Sequence, residues 1–117
     1  MGMNREIKFR AWEIKKKEWH YFTVPFDIGR TVAGMSFPLY YENWCQYTGL
    51  KDKNGKEIYE GDLVYFRSNN LVVSWITAVC AFELTKVGRS IVLNKEREHE
   101  IEVIGNIWEN PDLINEV

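Results

Sequence analysis

Hydrophobic residues recur at every second position over several stretches of the chain, which is the pattern of strands with one buried face. Ile7, Phe9 and Ala11 form the first such series. The polar run 13–18 can turn the chain, and a second strand over 19–24 ends before a proline. The two runs therefore predict a β hairpin in the N-terminal part of the chain.

The segment after this hairpin has no clear period. Between 27 and 38, glycines and a proline interrupt any pattern, which predicts a long loop. Residues 39–47 are again aromatic and extended. We therefore divide the chain into an N-terminal β subdomain with an irregular loop, 1–45, and a second region, 46–117. The residues from 23 to 43 carry no recognisable role.

The stretch 46–64 is organised around two sharp changes of direction. Asn54-Gly55 stands between two strand-like runs and is the dipeptide that most readily forms a type I′ turn, so it predicts a hairpin. Gly61 marks a tight corner into the next strand. Asp62, beside this corner, is suited to accept hydrogen bonds from the local backbone.

Downstream of the corner, the run 71–84 is apolar on both faces. Such a run is either buried on both sides or broken by a bend, and we favour a bend near 76–78. Gly105 interrupts the alternation of 101–108, and Asn110 followed by a proline predicts the N-cap of a short helix. The pattern as a whole predicts an all-β protein with a short C-terminal helix.

Three blocks of the chain carry a recognisable signature. They are 5–12, 102–111 and the central block 47–62, which reads YTGLKDKNGKEIYEGD. Together they resemble the YopX family of phage and prophage proteins. The resemblance implies an all-β fold with an SH3-like barrel at the C-terminal end. We expect N-terminal β hairpins to pack on this barrel, which is partly open. The resemblance also implies an origin in a phage or an integrated prophage. It does not imply any enzymatic reaction.

Composition favours a folded, soluble protein. Hydrophobic residues make up 45% of the 117 residues and aromatic residues 15%, which is enough for a compact core. We find no leader and no apolar run long enough to cross a bilayer, so we expect a cytoplasmic location in a bacterial host and no membrane contact. In that compartment Cys45 and Cys80 are expected to stay reduced, as small buried hydrophobic residues.

The charge of the chain argues against general binding to nucleic acid. The net charge is −2, whereas binding to a phosphate backbone needs clustered cations. Residues 1–20 hold six basic side chains against three acidic ones, and residues 96–117 hold one against seven. Either the two ends compensate each other across neighbouring strands, or the basic hairpin contacts nucleic acid. The small counts favour compensation.

Residue spacings typical of catalytic and metal sites are missing from the sequence. His20, His99, Cys45 and Cys80 are far apart, so no metal site is predicted. The serines lack a nucleophile-elbow pattern, and the glycines lack the spacing of a phosphate-binding loop. A carboxylate pair could form around Glu60, but turn chemistry already explains the acidic residues there. We therefore expect a protein that is not an enzyme and that needs no cofactor.

Aromatic residues near the central hairpin suggest a contact surface. SH3-like barrels use aromatic grooves to bind extended peptides or stacked bases, but small barrels also fill their cores with large side chains. We place Trp75 and Trp108 in the core. The candidate contact surface is the exposed face of the hairpin, which consists of Tyr47, Lys51, Asp52, Tyr59 and Glu60.

These observations favour a non-catalytic binding module, an accessory protein that contacts a macromolecule of the host or of the phage. The acidity of the chain favours a protein partner over nucleic acid. The alternative is a nucleic-acid-associated protein that uses the basic N-terminal hairpin. Self-association would cover the strand edges that a partly open barrel leaves exposed.

Overall fold

The computed structural model describes residues 7–23 and 43–116. Within these ranges the protein is all-β, as predicted, with two antiparallel sheets. The predicted loop at 27–38 lies outside the described residues. The strands are β1 (Lys8–Glu13), β2 (Glu18–Thr23), β3 (Asn43–Lys51), β4 (Glu57–Tyr59), β5 (Asp62–Phe66), β6 (Asn69–Ile76), β7 (Ala81–Lys86), β8 (Arg89–Val92) and β9 (Glu102–Asn106).

The chain divides into two compact units, 1–49 and 50–117, with the boundary inside β3. One sheet has the strand order β2-β1-β3-β4, and the other has the order β8-β7-β6-β5-β9. The short C-terminal helix is present as a 3₁₀ helix, and no helix among the described residues has the length and apolar character to cross a membrane. The three 3₁₀ helices are Thr77–Val79, Lys95–Glu100 and Pro111–Glu116.

The predicted N-terminal hairpin is present, with β1 paired to β2 along its whole length and to β3 on its other side. The prediction that β1 buries only one face is wrong. Arg10 and Trp12 are buried as well as Ala11, whereas Ile7 is exposed. The guanidinium carbon of Arg10 lies 3.9 Å from the ring centroid of Trp19, so the charge rests on an aromatic face while the aliphatic stem is covered. Alternation cannot reveal such a contact.

The turn between β3 and β4 is not the predicted type I′ turn. That turn needs a positive φ at both central residues, and of Asn54-Gly55 only Gly55 has one, at 83°. Gly55 N–H donates to the Asp52 carbonyl at 3.0 Å, and Asp52 N–H donates to the Lys56 carbonyl at 2.8 Å. The loop is therefore a turn over 52–55 that ends in a left-handed glycine, another common hairpin geometry.

The dihedral signature of a type I′ turn occurs instead in the two-residue loop between β5 and β6. Arg67 and Ser68 have φ values of 48° and 68°, and Phe66 pairs with Asn69 beside them. Neither loop residue is one that favours this conformation by itself. Arg67 is instead held by Glu100, whose two carboxylate oxygens accept from its Nε and Nη2 at 2.9 and 3.0 Å.

Gly61 forms the predicted corner between β4 and β5, with a φ of 88°. Its N–H donates to the Val73 carbonyl at 2.8 Å, and its carbonyl accepts from Ile107 N–H at 3.0 Å. A Cβ atom at this position would lie 2.5 Å from the ring of Trp108. The corner therefore requires glycine both for its backbone conformation and for the space that the indole occupies.

Asp62 behaves as a turn residue, whereas Gly105 lies inside β9, opposite Leu63. The carboxylate of Asp62 accepts from Tyr59 N–H at 2.8 Å, which is the local backbone bond expected of it. A Cβ atom at Gly105 would overlap the side chain of Asn110. The carbonyl of Asn110 accepts from Leu113 N–H at 3.1 Å, which places Asn110 at the start of the C-terminal helix.

The long apolar run after the corner is broken where the bend was predicted. β6 ends at Ile76, a 3₁₀ turn covers Thr77–Val79, and Cys80 adopts a left-handed φ of 52° before β7 begins. The break reverses the chain, so β6 and β7 pair as a hairpin. On the other side of the sheet, the register between β5 and β9 shifts between Leu63 and Val64, which marks a β-bulge.

The core of the second unit lies on one face of the five-stranded sheet. Cross-strand neighbours Val64 and Leu71, and Val73 and Leu84, belong to it. Closure of this sheet into an SH3-like barrel stays a prediction. The buried members of the core are Ile58, Val64, Phe66, Leu71, Val73, Leu84, Leu93 and Ile101.

The two cysteines have different environments. Cys45 is buried, as predicted, but Cys80 is exposed, so the prediction that both are buried is wrong. Cys80 projects from the sheet because it is the left-handed residue that closes the turn between β6 and β7. Neither thiol forms a disulfide.

The corner at Gly61 can be tested by comparing two glycines with the same sign of φ. Gly61→Ala should lower the free energy of unfolding by about 1–2 kcal/mol for the left-handed conformation, and by about a further 1–3 kcal/mol for overlap with Trp108. Gly55→Ala is the matched control, because its φ is 83° but no atom lies within 4 Å of the added Cβ. Urea unfolding measures both. Equal losses would contradict the packing of Trp108 on the corner.

Candidate functional site

The central hairpin, predicted as a contact surface, is built around the buried carboxylate of Asp52. Its Oδ1 accepts from Asn54 N–H and from Lys56 N–H, both at 2.9 Å. Its Oδ2 accepts from Val103 N–H at 2.9 Å. The carboxylate therefore shapes the loop and also ties it to β9. This is the work of a structural residue, as turn chemistry suggested.

The tyrosines of the predicted contact surface are also buried. Tyr59 is 2% exposed, and its hydroxyl donates to the carboxylate of Glu57 at 3.1 Å. Tyr47 is buried, with the ammonium nitrogen of Lys8 lying 5.0 Å from its ring centroid. The expectation that these aromatic rings lie on an exposed face is wrong, because both rings are buried. The role of the set in binding stays a prediction.

The other two residues of the set lie nearer to solvent. Lys51 is exposed and Glu60 is half-buried. The backbone N–H of Lys51 donates to Glu98 Oε2 at 2.8 Å, so the end of β3 is bonded to the 3₁₀ helix that precedes β9. The five predicted residues are near one another in the sequence, but they do not lie together on one exposed face.

Acidic residues from 98 to 102 pair with basic residues of the same unit. Glu100 receives both bonds from Arg67, and Lys53 Nζ lies 3.5 Å from Glu102 Oε1. The hydrogen bond from Lys51 N–H lowers the pKa of Glu98, with Lys95 contributing through its ammonium at 3.2 Å. Arg67 lowers the pKa of Glu100 in the same way. The acidic residues of this segment therefore form hydrogen bonds and ion pairs within the unit.

An exposed apolar surface lies at the end of the β6–β7 hairpin, and we call residues 75–82 the β6–β7 tip. Trp75 pairs with Phe82 across the two strands, with ring centroids 5.0 Å apart and planes at 69°. Trp75 is nevertheless 43% exposed, and Val79, in the turn, is 57% exposed. The placement of Trp75 in the core is therefore wrong, because the buried core ends two residue pairs earlier in the ladder, at Val73 and Leu84.

The sequence does contain a signal for this surface. No charged residue occurs between Arg67 and Glu83, although the strands and turn in that interval reach the surface. An uncharged run is compatible either with a strand buried on both faces or with a bend, and the bend is the favoured interpretation here. The signal is the position of the bend: apolar residues that flank a chain reversal lie at the end of a hairpin, where neighbouring strands no longer cover them.

Comparison with known protein families and structures gives one family. The family model described as YopX protein matches residues 8–115, which include all nine described strands. No curated protein matches the chain. Among solved structures, protein EF1440 from Enterococcus faecalis has a similar fold, with a TM-score of 0.64 and 23% sequence identity. The alignment covers 92% of this chain and 97% of that chain, and at this identity it shows the fold alone.

Removal of the Asp52 carboxylate should destabilise the second unit. Asp52→Ala leaves three backbone N–H groups without their acceptor, and we expect a loss of about 3 kcal/mol in the free energy of unfolding. The control is Asp112→Ala, which removes an exposed aspartate. Urea unfolding followed by tryptophan fluorescence measures both. A loss no larger than that of the control would contradict the structural role of Asp52.

The lowered pKa values of Glu98 and Glu100 predict loss of stability in acid. A carboxyl group whose pKa is lower in the folded state stabilises the fold above its unfolded value of 4.5, and this contribution disappears as the pH falls through the folded value. The urea concentration at the midpoint of unfolding should therefore decrease as the pH is lowered below about 4.5. The fall should be smaller in Glu98→Gln than in Glu96→Gln, which changes an exposed glutamate of the same helix. Identical pH profiles would refute this assignment.

Proposed function

The chain belongs to the YopX protein family, and from this premise we propose that it is a non-catalytic binding module, a phage or prophage accessory protein that contacts another protein through the β6–β7 tip. The observation that carries the proposal is the exposed indole of Trp75 at the end of the core face. The partner is a protein of the host or of the phage with an apolar pocket that receives this side chain.

The chemistry of the tip suits a protein interface. Tryptophan is among the residues that contribute most to binding when a partner covers it, since it removes a large apolar area from water with few rotatable bonds. Val79 extends the same apolar surface into the turn. Aromatic residues are enriched and acidic residues depleted at the centres of interfaces, and the tip has this composition.

The tip is also held in one conformation before any partner binds. β6 and β7 pair regularly up to Ile76 and Ala81, and Cys80 N–H donates to the Thr77 carbonyl at 3.1 Å to close the turn. The edge-to-face contact with Phe82 orients the indole. A side chain that is already ordered loses less entropy on binding, which raises affinity for a given contact area.

Charge favours a protein partner over nucleic acid. The tip has no lysine or arginine to contact phosphate, because the interval between Arg67 and Glu83 is uncharged. In the basic N-terminal hairpin, Arg10 is buried and Lys8 lies over an aromatic ring. Exposed lysines remain only in the turn 15–17 among the described residues of that hairpin. Nucleic acid therefore stays the second candidate.

The test starts from a photo-crosslinking amino acid at position 79, in the protein expressed in its bacterial host. Mass spectrometry of the crosslinked product identifies the partner, which is then purified and titrated with the chain. Trp75→Ala should raise the Kd by about 30-fold, equivalent to about 2 kcal/mol. The matched control is Tyr65→Ala, which removes an equally exposed aromatic residue from β5 and should leave the Kd unchanged.

Three results would count against this function. One is equal effects of the Trp75 and Tyr65 variants on the purified partner. Another is a crosslink only to a second copy of the chain, which would make the tip a self-association surface. The third is strongly salt-dependent retention on DNA that is lost when the lysines at 15–17 become glutamate, which would favour the nucleic-acid alternative.

A further inference from the structure

We infer that the turn end of the β1–β2 hairpin is a binding site for a divalent cation of the zinc class, formed by Glu13, Glu18 and His20. These three residues each offer one ligand atom, and the three atoms lie within 4.8 Å of one another. Residue spacing predicts no metal site, because the histidines and cysteines are far apart in the chain. Strand pairing in the hairpin brings the ligand atoms together, although the residues are not adjacent in the chain.

The register of the hairpin explains the cluster. Glu13 and Glu18 are directly opposite each other at the last pair before the turn. His20 follows Glu18 by two residues, so it lies on the same face of β2, opposite Ala11. The small side chain of Ala11 leaves the imidazole free to reach along the face toward the glutamates. The hairpin thus brings Glu13 together with Glu18 and His20, although the turn separates them in the chain.

Two distances in the cluster are close to those around a bound metal ion. His20 Nε2 lies 2.8 Å from Glu13 Oε1 and 3.3 Å from Glu18 Oε1. A tetrahedral zinc ion, with bonds of about 2.0–2.1 Å, holds its ligand atoms about 3.3 Å apart. The Glu18 oxygen is therefore already at the spacing of a zinc ligand from the imidazole nitrogen, and the Glu13 oxygen must move away by about 0.5 Å. The imidazole nitrogen then exchanges its contact with carboxylate for the metal.

Electrostatics also favours a cation between these groups. Two carboxylates at directly opposite positions of a strand pair repel each other. The turn carries Lys15, Lys16 and Lys17, but among the described residues their ammonium groups form no ion pair with either glutamate. A divalent ion would neutralise both carboxylates at one point, with the neutral imidazole as its third ligand.

The cluster has an aromatic contact on one side and is open to solvent on the other. Phe22 follows His20 on the same face and packs on Trp44, with ring centroids 5.1 Å apart. The side chains of His20, Glu13 and Glu18 are 28%, 25% and 52% exposed, so water can complete the coordination. One imidazole and two carboxylates with an open position form the ligand set of zinc rather than of calcium or magnesium.

The test is isothermal titration of the full chain with zinc chloride, in a Cys80→Ser background. That background removes the exposed thiol, which is itself a zinc ligand. We expect one ion per chain. His20→Asn and Glu13→Gln should each weaken binding by at least about tenfold. The matched control is His99→Asn, since the chain has two histidines and His99 lies on the helix before β9.

A thermal scan with and without zinc gives a second readout and shows that each variant is folded. Zinc should raise the melting temperature of the parent and of the His99 variant, but not that of the His20 variant. Glu18→Gln, at the most exposed ligand, tests the site with little risk to the fold. Absence of binding to the parent, equal affinity in the His20 variant, or equal loss in the His99 variant would each overturn the site.

Discussion

The backbone at Gly61 is the constraint on which the arrangement of the second unit depends. Its N–H is bonded to β6 and its carbonyl to Ile107, just beyond β9, so one residue connects the two strands that flank β5. The indole of Trp108 occupies the space where a side chain would stand. Since β5 begins at the next residue, the corner sets where β5, the strand between β6 and β9, starts. It thereby sets which residues of β6 reach the core and which extend beyond it toward the tip.

Acidic side chains complete this arrangement from within. Asp52 bonds the central hairpin to β9, and Glu98 and Glu100 bond the preceding helix to the end of β3 and to the β5–β6 loop. The excess of negative charge in the last part of the chain is therefore partly compensated by hydrogen bonds and ion pairs within the unit. A surface that looks acidic by residue count can be much less so in the fold, and the apolar tip lies on the same unit as these paired charges.

The two surfaces to which we assign binding belong to different units and use different chemistry. The β6–β7 tip presents uncharged apolar side chains, whereas the β1–β2 turn end gathers carboxylates and an imidazole. Neither coincides with the hairpin that carries the family-like sequence block. That block is instead rich in residues that make turns: Asp52 accepts three backbone bonds, Asp62 accepts from Tyr59 N–H, and Gly61 permits the corner. A recognisable motif here marks architecture, since turn geometry tolerates few residue types.

Local patterns in the sequence specify the features that depend on near neighbours. Alternation located the first hairpin, Gly61 and Asp62 specified a corner, and the apolar run after it predicted a bend near 76–78, because strand and turn preferences act over a few residues. Only the tertiary structure decided which way side chains face once strands pair. It buried Arg10, Tyr47 and Tyr59, exposed Trp75, and joined His20 to two glutamates across a turn. Burial and ligand geometry depend on residues that are distant in the chain, and pairing register, which no local pattern contains, brings them together.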